Sequence, residues 1–165
     1  SQHRRYSARG LRVWAWSALL FLSAATYILL LSEQSTRMLA QLPPSFRDGA
    51  EIAALDWLNQ QATYDDVVLS FYSTGNFLPT RVAALVFLGH GPETAFSDDK
   101  RQLVTQFYNP ATSEAWRRSF LNAWPITYVF NGPLEKQLGA IDLSGLANLT
   151  LVYDHAAYQI YRVSR

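Results

Sequence analysis

Twenty consecutive residues without a charge, positions 13–32, constrain this chain more than any other feature. The run passes from Val13-Trp14-Ala15-Trp16 through Ser23-Ala24-Ala25 to Ile28-Leu29-Leu30-Leu31-Ser32. As a helix rising about 1.5 Å per residue it reaches about 30 Å, the depth of a bilayer's hydrocarbon core. It has no polar face, which a helix lying on a soluble core would show. It also outlasts the apolar stretch of about 7–15 residues that marks a secretory signal. A membrane span over 13–32 is therefore expected, with a signal anchor that is later cut as the alternative.

The flanks orient that span. Residues 1–12 carry four arginines and no acid, whereas all thirteen acids and the other ten bases lie after position 32, a formal charge of 10 − 13 = −3 there. Basic residues close to a membrane helix are retained in the cytoplasm. The expected layout is a basic cytoplasmic arm at 1–12, the span at 13–32, a linker at 33–49 broken by Pro43-Pro44, and an extracytoplasmic domain at 50–165. The chain starts with Ser, so it is expected to continue a longer polypeptide. The lipid bilayer is one expected partner and other membrane helices of the same polypeptide are another.

About 130 residues after the arm and span suffice for one ordinary domain. Their apolar–polar alternation predicts its elements. Asp48 caps a helix over 50–62, in which Ile52, Leu55 and Leu58 recur near helical period. Compact runs rich in β-branched and aromatic residues at 66–72, 84–88 and 126–130 read as buried strands. Helices are expected from Ser97 or Asp98 to Tyr108, over 114–123 behind Thr112 or Ser113, and briefly over 134–138. Residues 149–153 and 158–163 form a hairpin with a four-residue connection. This order predicts an α/β fold, a three-layer domain with a mixed, mainly parallel sheet and a C-terminal antiparallel hairpin, preceded by one transmembrane helix.

Ligands of open α/β sheets sit beyond the carboxyl ends of the strands. Three loops expected there stand out: Thr74-Gly75-Asn76, Gly89-His90-Gly91-Pro92-Glu93-Thr94, and Asn131-Gly132-Pro133 with Glu135 behind it. The candidate ligand-binding or interface residues are Gly75, Asn76, Gly89, His90, Glu93 and Thr94. His90 and Glu93 place two ionisable groups in one glycine-rich loop. A turn-building role for Gly75, Asn131 and Gly132 is the stronger reading, because glycine and asparagine close tight turns. Lys100 and Arg101 read as solvated helix residues that also suit an anion.

Other chemistries are thinly supported. The chain has no cysteine, so disulfides, thiol nucleophiles and Cys-based zinc sites are excluded. Ser70 and Ser73 lack the Gly-x-Ser-x-Gly elbow, and no phosphate-binding glycine loop is present. Asp65-Asp66 and Asp98-Asp99 adjoin element starts, where acids favour the local dipole. No catalytic residue, metal ligand or cofactor is assigned, and the charge balance gives no sign of nucleic-acid binding. Asn148-Leu149-Thr150 matches the short glycosylation sequon.

Four segments belong together: Ala54-Leu55-Asp56-Trp57-Leu58, Thr74-Gly75-Asn76-Phe77-Leu78-Pro79, Gly89-His90-Gly91-Pro92-Glu93-Thr94 and Asn131-Gly132-Pro133-Leu134-Glu135. With them the chain resembles the C-terminal part of bacterial polytopic membrane glycosyltransferases of the GT-C type, similar to dolichyl-phosphate-mannose-type transferases. The terminal hairpin is similar too. The resemblance implies a polyprenyl-phosphate-linked sugar donor and a glycan acceptor, with the catalytic acid on an early loop between membrane helices that this chain lacks. The expected role is an accessory domain that assists substrate recognition or stabilises the membrane part. The alternative is a single-span extracytoplasmic binding or interaction module unrelated to sugar transfer. A third reading is a self-contained hydrolase built on His90 and Glu93.

Overall fold

The structure, a computed structural model, describes residues 8–39 and 46–164. The chain divides into two compact units between Phe46 and Arg47.

The first unit is helix α1 (Ala8–Leu39). Within its stretch Arg12–Thr36 an 18-residue window reaches a mean hydropathy of 1.8 with none of it buried, and the stretch is long and apolar enough to cross a membrane. Three of its hydroxyls bond back to the helix's own carbonyls. Ser23 Oγ donates to Leu20 O at 3.0 Å, Thr26 Oγ1 to Leu22 O at 2.9 Å and Ser32 Oγ to Leu29 O at 2.8 Å. These three hydroxyls are therefore not left bare toward an apolar surrounding. The helix extends beyond the expected 13–32 in both directions, so the expected linker opens as helix through Leu39. Once nucleated, a helix lengthens at little cost per residue, and Ser35 and Thr36 bond back to Leu31 O and Ser32 O at 2.8 Å each. Pro43-Pro44 and the arm's first seven residues lie outside the described residues.

The second unit is the α/β domain. Helix α2 (Gly49–Gln61) starts where Asp48 accepts from Ala50 N at 3.1 Å. Strand β1 (Val67–Leu69) is buried on both faces. Helix α3 (Tyr72–Phe77) follows at once and runs into a 3-10 turn, Leu78–Thr80. Strand β2 (Leu85–Val86), helices α4 (Ser97–Tyr108) and α5 (Glu114–Ala123), and strand β3 (Tyr128–Asn131) come next. Helix α6 (Pro133–Lys136) leads to the hairpin of β4 (Leu149–His155) and β5 (Tyr158–Val163).

The sheet order is β2-β1-β3-β5-β4. β1 pairs in parallel with β2 and β3, while β5 is antiparallel to both β3 and β4. Four of the five strands thus point the same way, and the expected mixed, mainly parallel architecture is what the chain adopts. Ala54, Leu55 and Leu58 of α2 are fully buried against Val68, Phe130 and Ile160 on one face. Val104, Phe107, Phe120 and Leu121 of α4 and α5 cover Leu69, Val129 and Tyr161 on the other. Burying each such large side chain contributes about 1.5–3 kcal/mol.

The differences from expectation are local. The strand expected over 66–72 stops at Leu69, because Tyr72 already begins α3 and carries Thr74-Gly75-Asn76 into a helix rather than a loop. The strand expected over 84–88 shrinks to two residues. The hairpin connection is two residues rather than four, and Ala156 takes a positive φ of 53° to close it.

Candidate functional site

The sequence-selected residues Gly75, Asn76, Gly89, His90, Glu93 and Thr94 all lie beyond the carboxyl ends of β1 and β2, and α3 meets the loop after β2 there. The meeting is backbone on backbone. A Cβ on Gly75 would stand 1.9 Å from Leu88 O, and one on Gly89 would stand 2.7 Å from Gly75 O. Only glycine at both positions lets the two segments touch. Asn76 Oδ1 accepts from His90 N, Thr94 Oγ1 donates to Gly89 O, and the Tyr72 hydroxyl accepts from Gly91 N at 3.3 Å. Glu93 N and Thr94 N both donate to His90 O, at 2.7 and 3.0 Å.

Four of the six candidates are therefore spent on construction: the glycines by their lack of a side chain, Asn76 and Thr94 by their hydrogen bonds. His90 and Glu93 are exposed, and no side-chain hydrogen bond holds either among the described residues. The loop carrying them is strained, since His90 and Phe96 sit at φ 38° and 56°, and Phe96 is 77% exposed. Backbone strain of this kind clusters at recognition and switch sites.

A cation borders the loop. The Arg101 guanidinium lies 4.1 Å above the Tyr72 ring, and Lys100 Nζ lies 5.1 Å from the Phe87 ring and 5.9 Å from the Trp124 ring. Asn76, then Gly91 N–H and the Arg101 charge, hold the Tyr72 phenol below its ordinary range. Both basic side chains, expected as solvated, are thus seated on aromatic faces.

The third expected loop goes elsewhere. Asn131-Gly132-Pro133 leads into α6, whose Glu135 is 1% exposed. Its Oε1 accepts from Phe71 N at 2.9 Å and its Oε2 from Gly132 N at 3.0 Å. Connections leave β1 and β3 toward opposite sides of the sheet, and such a switch point opens a crevice where ligands of this architecture commonly sit. Here the buried Glu135 carboxylate takes up the N–H groups of Phe71 and Gly132. Burial pushes that carboxyl above the ordinary glutamate value. The Thr74 hydroxyl, close by but without regular hydrogen-bond geometry, opposes the rise, as do the N–H groups of Phe71 and Gly132.

Beside it, Arg47 donates to Glu51 Oε1 at 2.7 Å, to Ser73 O at 3.0 Å and to Ser73 Oγ at 3.3 Å, with its guanidinium 4.6 Å from the Phe77 ring. Burial raises the Glu51 carboxyl too, against the pull of Arg47. Sequence reasoning missed Arg47, Glu51 and Glu135 as interior groups. The available signals were the i,i+4 spacing of Arg47 and Glu51 and the place of Glu135 at the third position of a helix opened by Gly132-Pro133.

Among the described residues no three His, Asp or Glu groups gather to hold a metal ion. What the site offers is a rim of an imidazole, a carboxylate and an aromatic side chain on a loop fixed by backbone contact. Such a rim suits contact with a polar partner.

The architecture defines a class: a mixed-sheet α/β domain with its rim loops at the carboxyl ends of the strands. No family model matches the sequence, and no curated protein matches it either. Among solved structures, the chain is similar to the C-terminal globular domain of the oligosaccharyltransferase AglB from Archaeoglobus fulgidus. The two share 16% identity with a TM-score of 0.50, over 72% of this chain and all of that one, a likeness of fold. That neighbour is archaeal, and it lends nothing to the bacterial setting expected above.

Proposed function

We propose that this chain is the membrane-anchored accessory domain of an oligosaccharyltransferase-like glycosyltransferase. In this reading α1 crosses the membrane with its N-terminus in the cytoplasm. The α/β unit lies outside and turns His90 and Glu93 toward a lipid-linked sugar, a glycan acceptor or the membrane part of the enzyme. Gly75, Asn76, Gly89 and Thr94 set the shape of that face. The reacting groups belong to other segments of the enzyme. The reading rests first on the likeness of fold to a domain of an oligosaccharyltransferase, and the long apolar α1 and the strained rim loop agree with it. The observation that singles out this face is that His90 and Glu93 are left uncommitted on a loop whose every other candidate residue is tied down.

The test is sugar transfer by the whole enzyme reconstituted in vesicles with a polyprenyl-linked donor. His90→Ala and Glu93→Ala are each expected to lower kcat/KM at least about fivefold, about 1 kcal/mol of lost recognition, while circular dichroism stays unchanged. Full transfer by both folded variants would refute a substrate-facing role. The absence of any transferase activity in the whole protein would favour the single-span interaction module.

A further inference from the structure

At the opposite ends of the strands from the His90 loop, α2 and the sheet form a cleft of about 270 Å³, lined by Trp57, Gln61, Tyr128, Val152 and Arg162.

Two pairings create the cleft. Trp57 and Gln61 stand one turn apart on α2 and so share a face. Tyr128 and Arg162 are direct cross-strand partners on β3 and β5, on the side of the sheet that α2 covers. Val152 is the extra residue of a bulge in β4, between the paired residues Leu151 and Tyr153. Bulges re-aim side chains and recur beside sites. The Trp57 ring is braced from behind by Tyr153, with centroids 5.2 Å apart at 40°.

Three polar groups converge there uncommitted. No described residue hydrogen-bonds the Gln61 amide, the Tyr128 hydroxyl or the Arg162 guanidinium. Asp66 is the acid whose charge Arg162 feels, but its carboxylate is engaged by Thr63 N at 2.8 Å and Thr63 Oγ1 at 2.9 Å.

We propose that this cleft binds a single pyranose ring bearing a carboxylate. The indole offers an apolar face to the ring's C–H groups, and the amide and phenol meet its hydroxyls. The guanidinium takes the carboxylate, for which its fork geometry is suited. The volume falls below the range of about 300–1,000 Å³ that holds drug-sized ligands, which favours one ring over an oligosaccharide. The proposal does not depend on the function assigned to the His90 loop, because the two places share no residue.

The test uses the full chain in lipid nanodiscs, titrated with glucuronic acid, methyl glucoside and acetate, and followed by the indole N–H resonance of Trp57. Glucuronic acid is expected to saturate with a Kd in the millimolar range, on the order of −4 kcal/mol, and more tightly than methyl glucoside. Arg162→Gln, an exposed position, is expected to weaken glucuronic acid about tenfold and to leave methyl glucoside unchanged. Circular dichroism verifies its fold. The proposal is overturned if neither sugar saturates by about 50 mM, if acetate competes as well as glucuronic acid, or if Arg162→Gln leaves glucuronic acid binding intact.

Discussion

Glu135 shows how one buried side chain joins two loops. Its two oxygens serve two backbone N–H groups from different loops, 2.9 and 3.0 Å away. Glu135→Gln replaces one acceptor by an NH2 group facing a donor, which is expected to cost about 1–3 kcal/mol in chemical denaturation. The pH dependence has a definite sign. A carboxyl raised in the folded state contributes stability that is complete below the ordinary glutamate pKa and is lost as pH rises through the raised value. The penalty of Glu135→Gln is therefore expected to be largest in acid and to shrink toward neutral pH. A penalty that grows with pH would contradict the assigned shift. The sequence placed Glu135 behind a polar loop, but not in the interior, because an acid at the third position after Gly132-Pro133 fits an exposed helix start as well as a buried one.

Among elements, α4 and α5 depend on a buried cation. Arg117, 6% exposed, donates through Nε to Phe107 O at 2.7 Å, and through its terminal nitrogens to Thr112 O at 2.7 Å and Asn109 O at 2.6 Å. It thereby ties together carbonyls at the end of α4 and in the connection to α5, of which Asn109 O also accepts from Thr112 N at 3.0 Å. Arg117→Ala is expected to lower stability by about 2–4 kcal/mol in urea unfolding. A loss below 0.5 kcal/mol, about the scatter of neutral surface changes, would show that water replaces the guanidinium freely.

The elements themselves were largely legible. Asp48 and Ser113 cap the helices they were expected to cap, and α5 has the expected bounds 114–123. Periodicity fails where backbone contact rules. Nothing in Thr74-Gly75-Asn76 announces a helix, because glycine normally disfavours one, and the reason it is there is the backbone of Leu88 in a distant segment. The two-residue hairpin was hidden in the same way, since Ala at positive φ is not a turn signal. The six candidate residues do gather at one edge, yet their division into builders and free groups required coordinates.

For the whole molecule, the fold class follows from the alternation of strand and helix. The membrane layout follows from charge and hydropathy, and so stays a proposal. Protease added to sealed cells is expected to digest the unit beginning at Arg47 while spared cytoplasmic markers remain whole. Complete protection of that unit would reverse the orientation. An alkaline wash is expected to leave the chain with the membrane fraction, because 25 apolar-rich residues, Arg12–Thr36, resist transfer to water.

The Gly75–Gly89 contact carries a mechanical consequence. Two segments that meet main chain to main chain have no flexible side chains between them to absorb a displacement. A push on the rim at His90 is handed straight to α3, and from there to Arg47, where the globule begins.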